Sequence, residues 1–175
     1  TVYMAYSHSG ASGGPAAAFY DRVFLYRWTD AAGWTVMNGG GEVSVPYTAD
    51  PSSDAWEPAV ACGTSANPRV AWVEAEPVSS DTDHALLAEV TALSATRSTP
   101  LSRNGSSGSY FTDVRTVGVA VDGSGNTYLA QWEQHHSEQW RTDLYVSRYS
   151  SGSFTSLGGS LGADYDSNNL SVPSL

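Results

Sequence analysis

The stretch Val117–Glu133, VGVAVDGSGNTYLAQWE, contains an apolar run, a turn rich in glycine, and a second apolar run that ends in Trp and Glu. The stretch Pro58–Glu74, PAVACGTSANPRVAWVE, aligns with it without a gap, so that Pro58 matches Val117 and Glu74 matches Glu133. Val, Tyr and Trp favour strands, and Gly, Asn, Ser and Asp favour turns. Similarity at a fixed offset of this kind is typical of repeat proteins, so the sequence predicts a repeated β unit.

A second unit alternates with the first. Val23–Met37 and Leu144–Leu157 each contain two strand-like runs, the second led by an aromatic residue, and each is followed by a pair of glycines. The middle copy, His84–Ser102, keeps the two runs but loses the glycines and the aromatic residue. Val2–Ser7 matches the second strand of the first unit, and Ser171–Leu175 matches the start of its first strand. This order predicts about twelve strands and almost no helix.

Four strands per unit of ~60 residues are typical of β-propeller blades. The predicted fold is therefore all-β: a single propeller segment over residues 1–175, with about three four-stranded blades whose ends are cut inside a blade. The predicted blades cover residues 1–55, 56–112 and 113–168, followed by an inner strand at 169–175. Because a closed propeller needs about four to eight blades, a second copy in a homo-oligomer or the rest of a longer chain is expected to close the ring.

Composition limits the classes of partner. The net charge of −10 and the isoelectric point near 4.5 exclude a nucleic acid, because phosphate binding requires a basic surface. No stretch approaches the ~20 apolar residues of a membrane span. The chain has one cysteine, Cys62, which excludes an internal disulfide; its apolar neighbours predict a buried, inert thiol.

The polar residues point to one end of the predicted blades. In a propeller the connections between second and third strands, and those between blades, leave at the same face, and here both sets are long. All acidic residues except Asp30, Glu89 and Asp122 fall in or beside these segments. Long segments on a rigid scaffold are where function usually lies. The candidate ligand-binding residues there are Trp56, Glu74, Tyr110, Glu133, Trp140 and Tyr165.

The four histidines, His8, His84, His135 and His136, are predicted to line the same rim. Neutral imidazole together with carboxylates is a plausible ligand set for Zn²⁺, and acid-rich segments suit Ca²⁺. The spacing matches no tight metal motif, and adjacent strand residues point to opposite faces, so His135 and His136 cannot both face inward. No cofactor is therefore assigned beyond this candidate set.

Three features resemble the sialidase-like propeller repeats of bacterial secreted proteins: the turn Asp122–Asn126, the strand that follows it, and the final strand with an aromatic residue followed by two glycines. The resemblance covers most of the chain and implies a propeller in a secreted or cell-surface protein. The segment Thr29–Trp34 is similar to the Asp box of sialidases, with altered spacing. That box is a structural feature, so the resemblance leaves the chemistry open.

Three functions remain open at this point. The leading hypothesis is an extracellular, lectin-like module that binds a carbohydrate or another polar ligand, because exposed aromatic rings beside carboxylates suit sugars. The alternative is a structural or assembly repeat of a surface or filament protein. A glycoside hydrolase is the third, but no carboxylate pair or arginine cluster is marked by a motif, and no catalytic residue is assigned.

Overall fold

The computed structural model describes residues 1–11, 19–44, 54–63, 67–75, 83–98, 101, 112–135, 141–158 and 161. These residues form eleven strands and a single 3₁₀ turn, Asn38–Gly40, which confirms the predicted all-β class with almost no helix. The strands are β1 (Val2–Ala11), β2 (Phe19–Thr29), β3 (Gly33–Val36), β4 (Ala55–Ala61), β5 (Arg69–Ala75), β6 (Asp83–Val90), β7 (Ala95–Arg97), β8 (Thr112–Val121), β9 (Thr127–His135), β10 (Arg141–Ser150) and β11 (Ser153–Ser156). None of the described helices is long and apolar enough to cross a membrane.

The strands form three antiparallel sheets in chain order. The first sheet holds β1 to β3, the second β4 to β7, and the third β8 to β11, with neighbours in sequence always paired. The middle copy His84–Ser102, which had lost its motif, still forms β6 and β7. The predicted inner strand at 169–175 lies outside the described residues.

The same backbone hydrogen bonds recur at the outer edge of all three sheets. In each sheet, the backbone amide of a residue just after the last strand donates to a carbonyl of the strand next to it. A second amide, a few residues further along the chain, donates to the carbonyl two residues earlier on that same neighbouring strand. These bonds are Met37 to Leu25 (2.8 Å), Ser98 to Leu87 (2.7 Å), Leu157 to Val146 (3.0 Å), Val43 to Val23 (2.8 Å), Leu101 to Ala85 (2.9 Å) and Leu161 to Leu144 (2.8 Å). The three sheets are therefore copies of one unit.

Two apolar clusters hold the sheets together. The cluster between the first and second sheets contains Val23, Leu25, Val70, Trp72 and Leu86 among its buried members. The cluster between the second and third sheets is built from the alternate residues of the second sheet, such as Ala71 and Val73, together with residues of β8 and β9. Because successive strand residues point to opposite faces, the second sheet is covered on both faces by its neighbours.

Aromatic residues at matched repeat positions pair directly across strands. Trp28 lies opposite Trp34, and Tyr149 lies opposite Phe154 with ring centroids 5.0 Å apart. Tyr149 and Phe154 pack against the cluster between the second and third sheets, so this pair contributes to the contact between those sheets. Trp34 is exposed on the first sheet.

The strands are joined by short turns at one end of the sheets. Between β10 and β11, Ser151 and Gly152 both have positive φ, 51° and 87°. Two successive residues with positive φ match the type I′ turn, whose twist fits that of an antiparallel hairpin. The glycine adopts this conformation without the steric cost that a side chain would bring.

The turn between β8 and β9 is organised by Asp122. Its carboxylate accepts hydrogen bonds from the backbone amides of Ser124 and Asn126 (both 2.9 Å), from the Asn126 side chain (2.7 Å) and from the Tyr128 hydroxyl (3.0 Å). These bonds favour the ionised form, with the Asn126 side chain as the main cause, and they lower the pKa of Asp122 below its ordinary value.

We expect the Asn126→Ala variant to raise the pKa of Asp122 towards its ordinary value, because the strongest donor is removed. A carboxyl group with a lowered folded-state pKa contributes stability above its unfolded pKa, near 4, and loses it as the pH falls through the folded pKa. An NMR titration of the Asp122 carboxyl carbon in both proteins measures the shift. An unchanged midpoint would contradict the assignment of Asn126 as the main cause.

The prediction of a buried Cys62 is wrong. The strand β4 ends at Ala61, so the chain leaves the sheet at Cys62 and the residue is exposed. Partial desolvation by its surroundings still raises the pKa of the thiol. The apolar neighbours in sequence do not bury this residue, because burial depends on where the strand ends.

Candidate functional site

One end of the three sheets carries ionisable residues at the same position in each repeat. Glu74 of β5 lies directly opposite His84 of β6, and Glu133 of β9 lies opposite Asp143 of β10. These two pairs are related by the same offset that aligns the two repeated stretches in the sequence. In the first sheet the equivalent pair is His8 of β1 and Arg22 of β2. We call this the long-segment end, because the connections 12–18, 76–82 and 136–140 leave the sheets there.

Glu74 and Glu133 are both buried and are held in the same way. The indole Nε1 of Trp72 donates to Oε2 of Glu74 at 3.0 Å. In the third sheet the side-chain amide of Gln131 donates to Oε1 of Glu133. In each case the donor lies two residues before the glutamate, on the same face of the strand. The repeat therefore preserves a hydrogen bond to the carboxylate even though the donor changes from Trp to Gln.

Other polar contacts fix the neighbouring strand ends. The Tyr145 hydroxyl donates to the buried carboxylate of Asp143 at 3.3 Å. Arg22 is buried and forms an ion pair with Glu42 at 3.4 Å. The Asp54 carboxylate accepts the backbone N–H of Asp21 at 2.9 Å, which joins the first and second sheets at this end. Buried ionisable groups are costly to maintain, and clusters of them mark candidate functional sites.

The first strand of the second and third sheets has a β-bulge close to the buried glutamate. In β4 the register shifts between Trp56 and Ala59, just after Ala55 pairs with Glu74. In β8 it shifts between Val114 and Thr116, just after Val114 pairs with Glu133. Bulges are over-represented beside functional sites, where they change the direction of the strand.

Two acidic residues at the opposite, turn end, Asp122 and Glu89, have structural roles. The four hydrogen bonds of Asp122 all stay within or beside its own turn. Glu89 forms an ion pair with Arg69 at 3.0 Å and accepts a hydrogen bond from the Asn67 side chain at 2.8 Å. The two ends therefore differ: Asp122 and Glu89 stabilise a turn and a strand end, while Glu74, Glu133 and Asp143 are buried at the long-segment end.

Of the predicted ligand-binding aromatic residues, only Trp56 lies in the described part of the chain. It is half-buried and packs against the cluster between the second and third sheets. Tyr110, Trp140 and Tyr165 lie outside the described residues, so their role stays a prediction. The structure thus places the two glutamates of the predicted set at equivalent positions and puts Trp56 beside the sheet interface.

The predicted histidine set is only partly described. His8 is exposed, and its ring stacks on Tyr6 with centroids 6.1 Å apart. His84 is half-buried opposite Glu74. The backbone of His135 ends β9, its side chain is not described, and His136 lies outside the described residues. Among the described residues, no three His, Cys, Asp or Glu side chains form a group that could hold a metal ion. Binding of Ca²⁺ or Zn²⁺ stays a prediction.

Sequence reasoning did not assign the donors Trp72 and Gln131, or the cross-strand partners Arg22 and Asp143, to the site. The signal for the donors was available, because Trp72 and Gln131 align in the two repeated stretches and both carry a side-chain N–H. The cross-strand partners required the register between the second and third strands of each repeat. That register is determined by the hydrogen-bonded pairing of whole strands, and in the first sheet the pair His8 and Arg22 is separated by a longer stretch of chain than the pairs of the other two sheets.

Comparison with known proteins gives no further assignment. No protein-family model matches the chain, and no significant match is found among curated proteins or solved structures.

Proposed function

We propose that the chain is a segment of an extracellular β-propeller that binds a polar ligand, most favourably a carbohydrate, at the long-segment end of its sheets. The propeller assignment is supported by three copies of one sheet stacked in chain order. It is also supported by the contact between β4 and β8, the first strands of neighbouring sheets, as expected of strands that surround an axis.

The observation that carries the proposed site is the recurrence of ionisable pairs in register at this end, above all Glu74 with His84 and Glu133 with Asp143. Three sheets that present the same position side by side form a rigid base for the segments that leave there. Function is usually found on such segments, positioned by a scaffold. The buried carboxylates act as positioning residues for the strand ends rather than as direct ligands, because Glu74 and Glu133 are closed to solvent.

The charge of this end favours one class of saccharide. The protein has a net charge of −10, and carboxylates concentrate at the long-segment end. A negative potential repels anions, so neutral saccharides are favoured over sialylated or sulfated ones. Arg22 is engaged with Glu42, and Arg115, beside the bulge of β8, donates its Nε–H to Oε1 of Gln134 at 2.8 Å. This arrangement favours a binding module over a sialidase-like enzyme.

Binding of the wild-type protein to a glycan array tests the proposal. We expect a signal with neutral oligosaccharides and a weaker signal with sialylated or sulfated ones. The Trp140→Ala variant is expected to lose binding while its melting temperature stays nearly unchanged, if that ring is a stacking platform for sugar. Absence of binding to every glycan would contradict the proposed ligand class.

A structural or assembly role is the second candidate, and one observation favours it. The first sheet exposes a large apolar face with Val2, Met4, Tyr6, Trp34 and Val36. Extended apolar faces of this kind mark contacts with other proteins in soluble molecules. Assembly through this face is compatible with ligand binding at the long-segment end, because the two surfaces use different residues.

A further inference from the structure

The outer face of the first sheet is built from every second residue of its strands. Met4 lies opposite Tyr26, which lies opposite Val36, and Val2, Trp28 and Trp34 form the next row across the sheet. The alternate residues, such as Ala5 and Leu25, face the second sheet and join its apolar cluster. One face of the first sheet is therefore packed, and the other is rich in aromatic and aliphatic side chains that contact water.

The same positions are buried in the other two sheets. Tyr6 corresponds to Trp72 and Gln131, because each lies two residues before the residue that its strand contributes to the ionisable pair. Tyr6 is 51% exposed, whereas Trp72 is 0% exposed. Met4 corresponds to Val70 and Leu129, which are both fully buried. The difference has a simple cause, because the preceding sheet covers this face in the second and third sheets. In both sheet interfaces of the chain, the face equivalent to the one with Met4 and Tyr6 packs against the opposite face of the preceding sheet. The repeat therefore indicates that the exposed face of the first sheet fits that opposite face of another sheet of the same kind.

The third sheet presents that opposite side. In the second sheet Ala71, Val73, Ala85 and Leu87 form the side that packs on the third sheet. Their equivalents in the next repeat are Ala130, Trp132, Leu144 and Val146 on the outer face of the third sheet.

We propose that a second copy of this chain covers the outer face of the first sheet with the outer face of its own third sheet. The contact is heterologous, because different surfaces meet, and two copies that make it reciprocally close a ring of six sheets. This arrangement repeats the two sheet interfaces already present within the chain. It is independent of ligand binding at the long-segment end.

Sedimentation velocity of the wild-type protein and two charge variants tests this proposal. Met4→Glu places a charge on the exposed first face, and Leu161→Glu places one beside the third-sheet face, where Leu161 is exposed and donates its amide to Leu144. We expect the wild type to sediment as a dimer of the 18.5 kDa chain. Each variant alone is expected to dissociate, with a dissociation constant raised about 30-fold or more, as for the loss of an interface hot spot.

A mixture of the two variants tests directly whether the two different faces meet. In the mixture, the intact first face of Leu161→Glu meets the intact third face of Met4→Glu, so we expect a heterodimer to reappear. Leu93→Glu is the matched control, since Leu93 is exposed in the turn of the second sheet, and it is expected to remain dimeric. Circular dichroism melting of each variant confirms that it is folded.

Four results would overturn the proposal. A monomeric wild type would show that no second copy covers the face. A dimer that survives Met4→Glu would place the interface elsewhere. If Met4→Glu dissociates the dimer and Leu161→Glu does not, two first-sheet faces are packed on each other. If the mixture of the two variants stays monomeric, the contact between a first-sheet face and a third-sheet face is excluded.

Discussion

Replacing Leu86 with alanine is expected to lower the free energy of unfolding by about 2–5 kcal/mol, the cost of removing a large aliphatic side chain from a packed core. Leu86 is 1% exposed and belongs to the cluster that joins the first and second sheets. Equilibrium unfolding in urea measures the change.

The matched control for this substitution is Leu93→Ala. Leu93 is 83% exposed in the turn that follows β6, so its loss is expected to change stability by no more than about 0.5 kcal/mol. Equal effects of the two substitutions would contradict the burial of Leu86 in the cluster between the first and second sheets.

The second large effect is expected at the buried carboxylate of the third sheet. Gln131→Leu keeps much of the side-chain volume but removes the amide that donates to Glu133. Because the carboxylate is fully buried, losing this donor is expected to cost about 1–3 kcal/mol of stability. Glu133→Leu alone similarly leaves the buried Gln131 amide without this acceptor.

The double variant Gln131→Leu/Glu133→Leu isolates the interaction between the two side chains. Replacing both partners of a buried polar pair is often far less costly than replacing one. We expect the double variant to be more stable than the sum of the single effects predicts, by about 0.5–3 kcal/mol. The corresponding cycle at Asn67 and Glu89, a half-exposed pair, is expected to give a coupling below about 1 kcal/mol. Additive effects at Gln131 and Glu133 would contradict the role of this hydrogen bond.

The strands were the part of the fold that the sequence predicted best. Val117–Glu133 and Pro58–Glu74 carry two apolar runs separated by turn-forming residues at the same place, and they fold as β8–β9 and β4–β5. Even the middle copy after His84, which lacks the motif, forms the two expected strands. Short apolar runs separated by strong turn residues leave few alternatives for the local structure.

The site was predicted less completely, for a physical reason. Glu74 and Glu133 follow directly from the repeat, and the structure shows that both are buried. Their cross-strand partners His84 and Asp143 depend on register, which the hydrogen-bonded pairing of whole strands determines. The burial of Cys62 was predicted wrongly from its apolar neighbours in sequence, because the exposure of this residue depends on where β4 ends.

The two faces of the first sheet show what a repeat pattern alone does not reveal. Tyr6 and Trp72 occupy equivalent positions, yet one is exposed and the other buried. The pattern specifies which side of a strand is apolar, but the position of the sheet in the stack determines whether a neighbour covers it. Exposure of Val2, Met4 and Tyr6 is therefore a property of the arrangement rather than of the strand.

Saccharide binding by three proteins compared side by side tests the central claim most directly: the wild type, Glu133→Gln and Glu89→Gln. Glu133 lies at the long-segment end and Glu89 at the turn end, so the same chemical change is made at both ends of the sheets. Titration calorimetry with a neutral oligosaccharide that the wild type binds is expected to show at least about tenfold weaker binding for Glu133→Gln, because an amide N–H₂ in place of one buried carboxylate oxygen disturbs the contacts that position the strand end. Glu89→Gln is expected to bind like the wild type. Equal affinity of all three proteins, or weakening confined to Glu89→Gln, would contradict a binding site at the long-segment end.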